Sequence, residues 1–203
     1  MSVKADDGDD GHAPPRRTQG ERRAATRAAL IAAARELFAQ KGFAGAGREE
    51  IVERAGVTRG AMYHHFDSKE ALFRAVYEEV EEEVLAHLMV AAAPARDAKE
   101  MLRLGSLAFL DIAATDDVRR ICLLDAPAVL LPEVRRELSE RYGVGVIRQA
   151  LRECMEAGVI RTQPVEVLAH VYLAALLEAA TLVAEGVNRA EVGSVLENLL
   201  DSL

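Results

Sequence analysis

Apolar residues recur at helical spacing along most of the chain. Leu30, Ala34, Leu37 and Phe38 make one stripe, which predicts a first helix from about Glu21 or Thr26 to Gln40, ended by Gly42. Residues 47–66 read as two short helices around a tight Ala55-Gly56-Val57 corner. The second of them is too short and too polar to serve packing alone. Asp67-Ser68-Lys69-Glu70 resembles a capping box, with Asp67 as cap. It opens a long helix in which Leu72, Val76, Val80, Val84 and Leu88 keep near-helical spacing up to Pro94. Acidic residues at 78, 79, 81, 82 and 83 read as the solvated face of that helix. Further helices are predicted over about 97–114 and about 116–124. Leu131-Pro132 opens a long helix reaching Ala157-Gly158, and Pro164 opens another that ends at Glu185-Gly186. Asn188 with Glu191 caps a last one.

Those last two helices differ from the rest. Val167, Val171, Ala174, Ala175, Leu177 and Leu182 spread around much of the first, and Val192, Val195, Leu196, Leu199 and Leu200 line the second. A helix apolar on most of its circumference needs cover on two sides. A two-fold homodimer, with Val171, Ala175, Leu182, Val195 and Leu199 in a four-helix interface, satisfies that need. A fully buried core helix in a monomer is the other arrangement the pattern fits.

Composition supports an all-α protein: half of the 203 residues are hydrophobic, Trp is absent, and the six prolines fall at element boundaries. No apolar run is read as approaching the roughly 20 residues of a membrane span, and the N-terminus has no signal-peptide pattern. Residues 1–20 are expected to form a disordered tail. Cys122 and Cys154 have no partners at metal-ligand spacing, so two reduced thiols in a cytoplasmic protein are expected. There is no His-Glu-x-x-His, nucleophile elbow or phosphate-binding glycine loop, so neither enzyme activity nor a metal or cofactor is expected.

Charge changes the picture by its distribution. The net charge is −8, yet residues 16–74 hold twelve basic against seven acidic residues, while residues 75–203 hold twelve against twenty-two. A basic module joined to an acidic one suits a nucleic-acid-binding domain with a separate regulatory domain. The basic module contains the two short helices, and a pair meeting at a glycine turn is a helix-turn-helix whose second member can lie in a DNA major groove. Thr58 is a natural cap for that member, and Arg59 in its first turn can reach phosphate or guanine. Gly60 and Ala61 permit close approach, and Tyr63 and His64 offer donors on the exposed side. Met62 and Phe66 look like inward anchors. Lys69 stands where a phosphate could meet both its charge and a helix N-terminus. Arg16-Arg17, Arg22-Arg23 and Arg27 form a basic arm, either a solvated tail or a source of further phosphate or minor-groove contacts.

Thr26-Arg27, Ala34, Leu37-Phe38, Gly42-Phe43, Ile51, Ala55 to Gly60, Tyr63, His65-Phe66 and Ser68 to Leu72 together resemble the TetR family of transcriptional regulators, without gaps over about residues 24–84. The resemblance implies an N-terminal three-helix helix-turn-helix domain (24–84, with the motif at 47–66) joined by a long helix to a C-terminal ligand-binding and dimerisation domain (85–203). It implies a homodimer that binds a palindromic double-stranded DNA operator and is usually released by a small-molecule effector. The matching DNA contacts are Thr58, Arg59, Ala61, Tyr63, His64 and Lys69, with the tyrosine and the lysine on phosphates. One departure is Gly45-Ala46-Gly47, where the family often has a capping Thr or Ser; glycine caps more weakly, and Arg48 is the substitute for the lost phosphate contact. The candidate lining of an effector cavity is Met101, Phe109, Cys122, Asp125, Met155, His170 and Glu178. Asp125 and Glu178 stand out, because buried acids need partners.

Overall fold

The computed structural model describes residues 18–203, so most of the expected tail, with Arg16 and Arg17, lies outside the described residues. Helix and turn make up the described chain, with no strand among the described residues. Helix α1 (Gln19–Gly45) starts earlier than its apolar stripe suggests. Thr18 and Glu21 form a full capping box there: the Glu21 N–H donates to Thr18 Oγ1 at 3.2 Å and the Thr18 N–H to Glu21 at 2.6 Å. Arg22 and Arg23 are therefore helical. Gly42, at φ 71° and ψ 170°, breaks the helix near its end, as its position suggested. Helices α2 (Arg48–Arg54) and α3 (Arg59–His65) complete the head.

The long helix α4 (Lys69–Ala92) runs unbroken out of the head, so the sequence boundary at 84/85 falls inside it. Its cap is Ser68 rather than Asp67: the Ser68 hydroxyl accepts the Ala71 N–H at 3.0 Å. The body comprises α5 (Ala98–Ala113), a π-helical segment Val118–Asp125, α6 (Ala126–Val129), α7 (Pro132–Ser139), a second π-helical segment Glu140–Val144, α8 (Gly145–Glu156), α9 (Val165–Ala184) and α10 (Arg189–Asp201). The long helix expected from 131 to 157 is thus three consecutive pieces. Side-chain periodicity does not distinguish an α-turn from a π-turn over so short a stretch.

Phe38, Phe43 and Phe73 meet in tilted and edge-to-face pairs at centroid distances of 5.3–5.7 Å where α1 meets α4. Around them Leu30, Leu37, Ile51, Met62 and Leu72 are fully or almost fully buried, as the inward-anchor reading of Met62 requires. This core continues along α4 through Val76 and Val80 to Leu110, Ile121 and Leu176, so head and body share one apolar cluster. A second cluster, including Leu102, Ile147, Leu151, Cys154 and Tyr172, joins α5, α8 and α9. Both cysteines are free.

Helix α9 corrects the sequence reading of membrane-spanning runs, because over Val165–Ala184 it is long and apolar enough to cross a bilayer by length and composition. Its inner face, with Ala169, Tyr172, Leu176 and Ala180, is buried. Its outer face leaves Val167 63%, Val171 59%, Leu177 40% and Leu182 37% exposed, and α10 adds Val195 and Leu199; Ala175 is half-buried beside them. The row is uncovered in the single chain, unlike a core helix of a monomer.

Candidate nucleic-acid interface and regulatory cavity

The corner between α2 and α3 is built from backbone. The Val57 N–H donates to the Val52 carbonyl and the Gly56 N–H to that of Glu53, with Gly56 at φ 65°, which is a Schellman closure of α2. Thr58 then caps α3 as expected, its hydroxyl accepting the Ala61 N–H at 3.2 Å. With Met62 and Phe66 buried against α1, the opposite face of α3 bares Thr58, Arg59, Gly60, Tyr63 and His64, and Ala61 is half-buried between the two.

Three of the expected contacts meet on this surface. The Tyr63 hydroxyl, on α3, lies against the Arg59 and Arg48 guanidiniums, and hydrogen bonding to Arg59 first and Arg48 second lowers its pKa. Arg59 also lies 3.4 Å from Glu49, an exposed pair that contributes little to stability. Two guanidiniums around a phenolic hydroxyl offer several donors converging on one point, the arrangement that suits a phosphate oxygen. Arg23 and Arg27 extend the basic rim along α1. They act on His65 after its desolvation to hold its pKa down, and Arg27 sits 5.3 Å above the Phe66 ring.

Lys69 departs from expectation. Its ammonium donates to the Phe43 carbonyl at 2.6 Å and the Ala46 carbonyl at 2.9 Å, and stands 4.2 Å from the Phe43 ring centroid. Burial lowers its pKa. It fastens the Gly45-Ala46-Gly47 segment, whose Gly47 provides no side-chain cap for α2. That segment looked loose because the lysine that ties it is more than twenty residues away in sequence.

Behind the head, a cavity of about 980 Å³ opens between α4, α5, α6, α7, α8, α9 and the two π-helical segments. Met101, Phe109, Cys122 and His170 line it as expected, and Asp125, Met155 and Glu178 do not. Asp125 instead accepts the Phe43 N–H at 2.6 Å and lies 3.4 Å from Arg120, linking the body to the head. Met155 packs into the second apolar cluster, and Glu178 is exposed on the outer side of α9.

Four acids line the cavity: Glu133, Glu137 and Glu140 are exposed on α7 and the segment after it, and the one set into the walls is Glu81, which the sequence reading placed in solvent. The neighbouring acids do pair outside: Glu78 with Arg74, Glu79 and Glu83 with Arg35, and Glu82 with Arg141 and Tyr142. Glu81 sits four residues after buried Tyr77 and three before buried Val84, so the helical stripe itself could have revealed it. Burial raises its pKa, against hydrogen bonding with Tyr77 and Cys122.

A pH signature follows. The folded chain keeps the Glu81 proton at pH values where the unfolded chain has lost it, so stability from this group is complete below the ordinary glutamate range and lost as pH rises through the folded value. Glu81→Gln, which stays neutral, should show a smaller fall in melting temperature than the parent between about pH 4 and 8. Parallel curves for the two proteins would refute the desolvated carboxyl.

A cap-and-turn head with an exposed basic recognition helix, on a helical body that contains a cavity, defines a helix-turn-helix protein with a regulatory domain. The sequence profile of the tetR family of bacterial regulatory proteins matches residues 30–76, and that of the tetracyclin repressor-like C-terminal domain matches residues 99–203. The chain belongs to the TetR family. It is 30% identical over 112 residues to the transcriptional activator FasR of Mycolicibacterium smegmatis, covering 55% of this chain and 51% of FasR, so it spans about half the length of that relative. The transcriptional repressor AcnR of Corynebacterium glutamicum is 28% identical over 192 residues, 91% of this chain and 92% of AcnR. A TetR-family regulator from Pectobacterium atrosepticum has the same fold, with a TM-score of 0.71 at 30% identity over 92% of this chain and 95% of that one.

Proposed function

We propose that the chain is a homodimeric cytoplasmic repressor that binds a palindromic operator and releases it when a small molecule occupies the cavity. The observation that carries DNA binding is the exposed cluster of Arg48, Arg59 and Tyr63 on α2 and α3. Thr58, Gly60, Ala61 and His64 complete the surface offered to the groove, and Lys69 acts by holding the segment before α2 in place. The uncovered row on α9 and α10 supports the dimer, and two-fold symmetry would set two recognition helices in successive major grooves. The cavity between the helices of the body supports an effector of small-molecule size. Activation is the second reading, favoured by the likeness to an activator, FasR.

The test is fluorescence anisotropy with DNA from upstream of the chain's own gene, using the parent and Tyr63→Phe. A dimer making about six phosphate contacts should lose roughly 10³-fold in affinity between 50 and 200 mM salt while preferring its own sequence. Tyr63→Phe removes one phosphate-directed hydroxyl per subunit, and affinity should fall roughly tenfold with the melting temperature unchanged. Binding with no sequence preference would reduce the chain to a helical interaction protein that keeps the fold alone.

A further inference from the structure

We propose that the cavity takes a lipophilic amine, its hydrocarbon part against the apolar walls and its ammonium paired with Glu81. This deepens the effector reading above and rests on it. The walls are largely hydrocarbon, with Leu85, Leu88, Phe109 and Leu173 among them, and they select an apolar body. Of the polar groups inside, Ser106 and Tyr172 satisfy each other with a 2.7 Å hydrogen bond. Glu81 is different. Its neighbours are the Tyr77 hydroxyl on its own helix and the Cys122 thiol from the π-helical segment, both neutral, and no cation among the described residues pairs with it.

A carboxylate has about four acceptor positions, and two neutral donors leave room for a ligand's N–H groups. A carboxylate half-buried among apolar walls without a counter-charge is unfavourable, so a cation entering the cavity supplies what the protein withholds. The arginines that line the cavity, Arg135 and Arg136, are on exposed α7, and Arg135 donates to the Pro127 carbonyl. The charge of Arg135 reaches the Tyr77 hydroxyl beside Glu81, yet an anionic head paired with that arginine would still meet Glu81 as a like charge or only after its protonation. A neutral alcohol would gain a hydrogen bond but no charge pairing.

Three probes with one chain length separate these cases: decylamine, decanol and decanoate, titrated calorimetrically into the purified full chain below their micelle concentrations. The amine should bind at least tenfold tighter than the other two. Glu81→Gln should bring the three to within about twofold of one another, and Glu81→Ala should do the same should the amide perturb packing. Glu156→Gln, exposed at the end of α8, removes the same charge and should keep the amine preference, which separates pairing at Glu81 from general attraction to an acidic protein. Decanol or decanoate binding as tightly as the amine, or an amine preference that survives in both Glu81 variants, overturns the amine assignment and leaves an effector cavity standing. No binding by any of the three overturns the effector reading together with the assignment.

Discussion

Leu177→Glu combined with Leu199→Glu should leave a folded monomer that no longer binds operator at concentrations where the parent is saturated. Leu177 and Leu199 are 40% and 49% exposed in the single chain, so neither substitution strands a charge in the monomer's core, although Leu177 also borders the cavity. In a two-fold interface each side chain occurs twice, so four leucines lose their cover. Covering the exposed part of one such leucine contributes about 1 kcal/mol, so the four lose roughly 4 kcal/mol, and each of four carboxylates in an apolar seam adds a desolvation penalty of several kcal/mol. Together these exceed the roughly 8 kcal/mol that separates a micromolar dimer from free subunits. Since a single recognition helix reaches only one half-site, operator affinity should fall by more than 100-fold. Light scattering gives the mass, circular dichroism the retained helix, and anisotropy the DNA. A double variant that stays dimeric would refute the interface, and a monomer with parental operator affinity would refute the two-fold reading head.

The motifs legible in the sequence were those set by local chemistry. Thr58 caps α3 because the hydroxyl and the N–H it accepts are three residues apart, and Gly56 supplies a positive φ to a corner only a few residues long. The outward row on α9 was legible because helical periodicity fixes which residues share a face. What escaped depends on contacts distant in sequence. Lys69 reads as a phosphate ligand until the Phe43 and Ala46 carbonyls come into place. Asp125 reads as a cavity acid until its partner proves to be a backbone N–H 82 residues earlier. Glu81 was lost among four other acids whose cations, apart from the Arg74 partner of Glu78, also come from other elements. The head was therefore more legible than the cavity, whose walls come from eight elements.

Gly42→Ala should cost about 3 kcal/mol or more, against about 1 kcal/mol for Gly56→Ala, although both glycines have positive φ. At Gly56 an added Cβ meets nothing within 4 Å, so backbone strain is the whole effect. At Gly42, φ 71° with ψ 170° lies in a region essentially reserved for glycine, and strain alone reaches the upper part of the range of about 1–3 kcal/mol. The added Cβ would also stand 2.0 Å from Arg120 Nη2 and 2.6 Å from Cζ. A free arginine could swing aside at little cost. Arg120 forms an ion pair with Asp125 at 3.4 Å without a hydrogen bond at its buried Nε, and Asp125 also accepts the Phe43 N–H, so moving the guanidinium disturbs the joint between head and body. For a chain of this size, each kcal/mol moves the melting temperature by about 2–4 °C, so Gly42→Ala should melt roughly 6–12 °C below the parent. Arg120→Ala in the same background separates the two causes: with the guanidinium gone, the clash vanishes and only the strain remains. The double variant should therefore lose less than the two single variants together, and strict additivity would show that Arg120 yields freely and that the joint at Gly42 is a matter of backbone alone.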